Sequence, residues 1–429
     1  MQFQIETFQN PYLPVGTTRV DAVLTVTATR NAAGPLETGG ALVVGIIVDS
    51  SGSMQGARIE AVRQATRRAV ALLRPDMYFF IARFSSDARM VFPLSPATDE
   101  NKARADAAIR AIPAGGDTWM SSGLEMARGE FLKMPGAIYQ ALFLTDGKNN
   151  EQDEPRLNVT LNSCEGVFQC ECRGVGTDWQ VKQLQRIATK LLGSARIIAE
   201  PAGLEADFSE TIQTAAGRAL GDVRLRLWTP KTVRITSVKQ MSPEIVVLTD
   251  RGTAVSAQAT DYPTGAWGVE SRDYYIAAEV NATGEVGDEI LAANPSIVFQ
   301  AGGQAQEVKY PAARILATWT SDEALSARIS REVAHYTGQE ELAGAIQDGL
   351  EARASGDVET ATRLLGRAAK LAQESGNDET TSRLRKVVDI VDAGQGTVRL
   401  KQRVEKADEM DLDLGSTRTS RAQRPAPTP

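Results

Sequence analysis

The sequence predicts an α/β fold in three parts: a doubly wound, mostly parallel sheet inserted in an antiparallel β-sandwich, followed by a C-terminal α-helical domain. Three observations predict it. From Ala41 onward, strand and helix patterns alternate for about 180 residues, which requires crossover connections and a mostly parallel sheet. On either side, the pattern changes to period two between turn residues, as in antiparallel strands with one buried face. Past residue 320 the spacing is helical. At 429 residues the chain is too long for one ordinary core and long enough for about three domains.

In order along the chain, residues 1–37 place Val20, Ala22, Leu24 and Val26 on one strand face and Asp21, Thr25 and Thr27 on the other. The turn-rich segment Arg30–Gly40 closes this part. Residues 38–217 form the α/β domain. Ala41–Val48 is a continuous apolar run, as in a parallel strand covered on both faces. Helical patterns follow at Arg58–Leu73, Glu100–Ile112, Ser121–Phe131, Trp179–Leu192 and Leu204–Leu220. Apolar runs lie between them at Tyr78–Phe84, Met90–Phe92, Ile138–Leu144, Val167–Val175 and Ala195–Ala199. Residues 218–320 alternate again, with Val223, Leu225 and Leu227 on one face. Residues 1–37 cannot form a domain alone, so they are assigned to the same sandwich, which makes it discontinuous. Residues 321–400 read as a helical domain. Within it Glu340–Ser355, Gly356-Asp357 and Val358–Glu374 form a helix hairpin similar to one tetratricopeptide unit. Residues 401–429 turn charged, then rich in Ser, Thr, Arg and Pro, and read as a disordered tail. Thr417, Thr419 and Ser420 in that tail are candidate phosphorylation sites.

Composition excludes several functions. Acidic residues outnumber basic ones, 54 to 47, and an acidic surface repels phosphate backbones, so no nucleic-acid partner is expected. No apolar run approaches the ~20 residues that span a bilayer. The N-terminus carries an early Glu6 and no basic region leading into an apolar stretch, so no signal peptide or membrane association is expected, and the cytoplasm is the default compartment. Cys164, Cys170 and Cys172 are an odd count within nine residues, which argues against a disulfide framework. Cys170 and Cys172 read as small hydrophobes on one face of a buried strand. The single histidine, His335, lies in a helical pattern with no nucleophile motif near it. The commonest general base is therefore missing from any catalytic constellation, and no catalytic residue is assigned.

The chemistry is concentrated at strand ends. Asp49-Ser50-Ser51-Gly52-Ser53 follows the first apolar strand, where open α/β sheets bind ligands. Alternate spacing lets Asp49, Ser51 and Ser53 converge, and two hydroxyls with one carboxylate suit a small hard cation, Mg²⁺ or Mn²⁺, rather than zinc. Gly115-Gly116-Asp117-Thr118 precedes a helix, and Leu142-Phe143-Leu144-Thr145-Asp146-Gly147 ends another strand in a carboxylate. In this order the segments resemble a von Willebrand factor type A domain with a complete metal-ion-dependent adhesion site, of the bacterial cytoplasmic type. Arg173-Gly174-Val175-Gly176-Thr177-Asp178 also resembles that family's fifth-strand ending. The resemblance implies that Asp49, Ser51, Ser53, Thr118 and Asp146 form the metal set. It implies that the hydroxyls bind directly and one or both carboxylates act through water. Asp117 departs from the pattern, which places Thr directly after the glycines. The spacing from Thr118 to Gly123-Leu124 fits, so Asp117 is read as an insertion.

The expected function is a protein-binding module, a cytoplasmic adaptor whose cation takes an Asp or Glu from a partner protein. The resemblance adds a link to Ser/Thr kinase signalling, by analogy alone. Alternatives are an accessory subunit of an ATPase or chelatase-like remodelling complex and, ranked below it, a metal-dependent hydrolase. The chain has no phosphate-binding loop of its own.

Overall fold

A computed structural model describes residues 1–30, 40–281, 284–301 and 304–422. The expected turn at Arg30–Gly40 and the last seven residues lie almost entirely, and entirely, outside this set.

The first apolar run becomes the strand Leu42–Asp49, buried along its whole length. It pairs in parallel with Tyr78–Phe84 on one side and Ile138–Thr145 on the other. Among the described residues this sheet has six strands. Ala88–Pro96 forms the antiparallel edge beyond Tyr78–Phe84, and Gln169–Val175 and Ala195–Ile198 continue in parallel beyond Ile138–Thr145. In chain order within the unit the arrangement is 3-2-1-4-5-6. Strand order therefore reverses between Leu42–Asp49 and Ile138–Thr145, and a crevice opens at their carboxyl ends. Helices cover both faces. Ala57–Leu72, Asp99–Arg110 and Leu204–Ala216 bury Ile59, Val62, Ile109 and Phe208 on one. Met120–Phe131 and Val181–Lys190 bury Leu124, Phe131, Leu184 and Ile187 on the other. Only glycine fits at residue 45, because a Cβ there would lie 2.4 Å from the Phe80 ring and 2.8 Å from that of Phe131. The α/β unit holds a helix outside the expected set, Glu154–Cys164, which buries only Leu157, Thr160, Leu161 and Cys164 and carries no long apolar period.

The antiparallel part is a sandwich of two sheets, and the start of the chain belongs to it. Arg19–Thr29 lies between Gln2–Gln9 and Ser271–Val280, in register from Thr27 opposite Ser271 to Arg19 opposite Glu279. Phe3, Val20, Leu24, Leu225, Trp267, Tyr274 and Trp319 share one core. The α/β unit is thus inserted between strands of one sandwich, as the alternation patterns predict.

The C-terminal part departs from expectation twice. Helices Arg331–Ala354, Val358–Glu374 and Asp378–Val387 are followed not by more helix but by a hairpin of Val388–Asp392 and Thr397–Leu400. The stretch read as a disordered tail from residue 401 then forms the helix Lys406–Gly415. Its apolar residues serve two cores: Met410 and Leu414 join the α/β unit, and Leu412 joins the helical unit. A helix wedged between two bodies needs apolar residues on two sides, so it shows no single amphipathic stripe. Beyond it, residues 417–421 strap across the sandwich. Ile245 donates its N–H to the Thr417 carbonyl at 2.8 Å, and Thr419 donates to Pro243 at 3.1 Å. Thr417 and Thr419, expected in a free tail, are therefore tied into structure. Residues 423–429 of the expected tail lie outside the described set.

Candidate functional site

Five residues singled out from the sequence gather at the crevice where strand order reverses. Asp49, fully buried, ends its strand with both oxygens engaged. Oδ1 accepts the Ser51 N–H at 2.7 Å and Oδ2 accepts the Thr145 hydroxyl at 2.6 Å. The turn carries Ser51 Oγ to 3.0 Å from Ser53 Oγ, and Ser53 donates to Asp146 Oδ1 at 2.6 Å. The glycine loop is tied to the same turn. Gly52 donates to the Gly116 carbonyl at 2.9 Å and Gly115 to the Ser50 carbonyl at 2.7 Å. This fixes Thr118, whose own carbonyl accepts from Asn150 at 2.8 Å. The helix after it starts on borrowed acceptors, Asn149 Oδ1 for the Met120 N–H and Asp153 Oδ2 for that of Ser121, each at 2.9 Å. Asp117 points elsewhere: it is exposed, and its N–H donates to Ser86 Oγ at 2.9 Å.

Two carboxylates and three hydroxyls are a hard oxygen set of the kind that holds Mg²⁺ or Mn²⁺. Two features of the crevice fit a small cation. A Cβ added at Gly147 would lie 3.1 Å from Thr118 Oγ1 and 3.5 Å from Ser53 Oγ, so the missing side chain leaves a small space lined by hydroxyl oxygens. Burial, aided by the neighbouring Asp146, pushes the Asp49 carboxyl up to about 6 despite hydrogen bonds from Thr145 and Ser51. A dry site with a disfavoured negative charge is one that a cation relieves. Among the described residues no three His, Cys, Asp or Glu cluster as a metal cage, so any ion here is held largely by neutral oxygens.

Sequence reasoning missed Arg58. From the first turn of its helix it donates to Asp146 Oδ2 at 2.7 Å and to Asp178 Oδ2 at 3.0 Å. Asp146 is fully buried and Asp178 largely exposed. Its position five residues after Ser53 carries no signal, since an arginine opening a helix is ordinarily solvated. Thr145 stands before Asp146 in the strand-ending motif, but only the fold places its hydroxyl on Asp49. The three cysteines are buried and unpaired, with Cys170 and Cys172 Sγ 3.9 Å apart. Burial raises the Cys164 thiol to about 11 and that of Cys170 well above its ordinary value, so both are inert core. His335 sits on the helical unit, its Nε2 2.7 Å from the Ser420 carbonyl.

A sheet whose order reverses at a turn of spaced serines, faced by a glycine–threonine loop and a strand-ending aspartate, defines a class of domain. Residues 44–148 match the model of the von Willebrand factor type A domain, and residues 370–416 that of the von Willebrand factor type A C-terminal domain. A solved von Willebrand factor type A protein from Catenulispora acidiphila is 41% identical, over 98% of this chain and 97% of that one, with a TM-score of 0.91. The chain belongs to the von Willebrand factor type A family. The ArnB paralog VWA2 from Sulfolobus acidocaldarius shares the fold at 15% identity, over 97% of this chain and 98% of that one, with a TM-score of 0.62. Inter-alpha-trypsin inhibitor heavy chain H4 from Bos taurus is 30% identical over 41% of this chain and 20% of that protein. An uncharacterized Synechocystis protein is 27% identical over 48% of this chain and 49% of that one. The chain thus spans from a fifth to about half the length of these curated relatives.

Proposed function

We propose that the chain is a metal-dependent protein-binding module, in which a Mg²⁺ or Mn²⁺ ion held by Asp49, Ser51, Ser53, Thr118 and Asp146 receives an Asp or Glu side chain from a partner. Domains of this family typically mediate protein–protein interaction. The observation that carries the finer reading is the charge of the crevice. Arg58 offsets one of the two buried carboxylates, so the site keeps about one net negative charge against a divalent ion. An ion held there would retain positive charge for an incoming carboxylate. The chain's own residues would supply the hydroxyl ligands, the buried carboxylates and, through Arg58 and Thr145, the orientation of both.

The same reading makes the chain an adaptor rather than an enzyme, placed in the cytoplasm, where its three thiols would stay reduced. His335, on the helical unit and engaged on the Ser420 carbonyl of the strap, supplies no base at the crevice, which favours binding over hydrolysis. A link to Ser/Thr kinase signalling is carried over by analogy with the family alone. Calorimetric titration with Mg²⁺, and then with a purified partner in Mg²⁺ or in excess chelator, tests the proposal. Saturable Mg²⁺ binding and a chelator-sensitive partner are expected. Equal partner affinity in both conditions would overturn the metal-dependent reading.

A further inference from the structure

A polar cavity lies at the other end of the sheet from Asp49. It has a volume of about 460 Å³ and opens where the α/β unit, the sandwich and the C-terminal strap meet. Gln140 in its floor lies on the strand Ile138–Thr145, six residues before Asp146 at the metal crevice, about 20 Å away. The floor is buried and in part fully paired. Arg173 donates to Asp207 at 2.5 Å and Arg272 to Glu270 at 2.8 Å.

Three other arginines in the wall are poorly served. Arg218 reaches Glu171 only at 3.5 Å, and its buried Nη1 has no partner among the described residues. Arg196 comes no nearer than 3.5 Å to Glu210 and 3.9 Å to Asp207, with Nε buried and unpartnered. Arg418 stands 3.5 Å from Glu244 and 3.7 Å from Glu379. Glu171 and Glu270, held below their ordinary values by the arginines beside them despite burial, are committed to Arg173, Arg218 and Arg272; the carboxylates facing Arg196 and Arg418 are weaker partners. Glu210 and Glu379 are about two-thirds exposed and screened by water, while burial raises Glu244 toward its neutral form. Burial, and then the nearby Arg272, hold Arg218 below the ordinary guanidinium value. One acceptor is also left over: Gln140 is 2% exposed and its Oε1 has no partner.

From this geometry we infer that the junction cavity binds a small phosphate monoester, its phosphate taken by Arg196, Arg218 and Arg418 and a hydroxyl of its organic part by Gln140. Guanidinium forks match phosphate oxygens, and buried donors lacking partners favour an anion that supplies acceptors. The volume falls within the range of small-molecule sites. The three arginines come from a sheet strand, the link into the sandwich and the strap, so the ligand would tie the three parts together and stabilise the folded chain.

The full chain is titrated calorimetrically with inorganic phosphate and with ribose 5-phosphate, in chelator so that the metal crevice takes no part. Melting temperature is read in parallel. Saturable binding of both, tighter for ribose 5-phosphate, and a rising melting temperature are expected. Arg218→Gln and Arg418→Gln should each weaken binding by about tenfold or more, the loss of a charge-assisted hydrogen bond. Gln140→Leu should remove the preference for ribose 5-phosphate. If Arg218→Gln does not fold, Arg196→Gln, which breaks only loose contacts at the mouth, decides the matter with the same expected loss. Absence of saturable binding up to about 10 mM ligand, or unchanged affinity in the arginine variants, would overturn the inference.

Discussion

Asp49 is held by a backbone N–H and a hydroxyl while being fully withdrawn from water, so its side chain serves the crevice at a cost to the fold. Asp49→Ala should abolish Mg²⁺ binding yet change metal-free stability by no more than about 1 kcal/mol, because lost hydrogen bonds and relieved desolvation offset each other. Calorimetry and urea unfolding of the same variant check both halves. Gly147→Ala addresses the space itself. Its methyl would crowd Thr118 Oγ1 at 3.1 Å and Ser53 Oγ at 3.5 Å, and cation affinity should fall while the circular dichroism spectrum stays unchanged. An affinity equal to that of the parent would mean that no ion occupies the space beside Gly147.

At the scale of elements, two segments that look marginal in isolation are fixed by what they pack against. The first strands place Phe3, Val20 and Leu24 in the sandwich core and cover the edge of Ser271–Val280. Deleting residues 1–30 should expose that edge and lower the melting temperature of the whole chain. A truncated chain that melts like the parent would separate these strands from the sandwich. The helix Lys406–Gly415 makes the opposite case against its charged sequence. Leu412 is fully buried, and Leu412→Ala should cost about 2–4 kcal/mol in chemical denaturation, where a disordered tail would give no change.

Across the whole molecule, the strap joins parts distant in sequence. Arg421 donates to both oxygens of buried Asp273, at 3.1 and 3.0 Å, and Thr25 and Tyr336 donate to the same carboxylate. Hydrogen bonds from Arg421, Thr25 and Tyr336 hold Asp273 below the usual carboxylate value, outweighing its burial. With the folded pKa depressed, the stabilisation is fully present above the ordinary carboxylate value of about 3.9 and is lost as pH falls through the depressed one. Acid should therefore loosen the strap. Melting curves between about pH 5 and pH 2.5 should fall less steeply for Asp273→Asn than for the parent. An identical slope would show that this carboxylate does not anchor the strap.

Taken alone, the sequence determined the inserted architecture and brought Asp49, Ser51 and Ser53 together, while Thr118 and Asp146 joined them through the family resemblance. Those features are local: an apolar run predicts a covered strand, and spaced oxygen ligands in a turn converge whatever surrounds them. Asp117 is set aside on the resemblance, because the spacing from Thr118 to Gly123-Leu124 fits the family pattern. Arg58 on Asp146, the Thr145 hydroxyl on Asp49, the helix carrying Leu412 and the arginine-lined cavity were decided only by tertiary structure. Each depends on partners 88, 96 or more residues away or on a helix facing two cores, and neither periodicity nor spacing within one segment records such contacts.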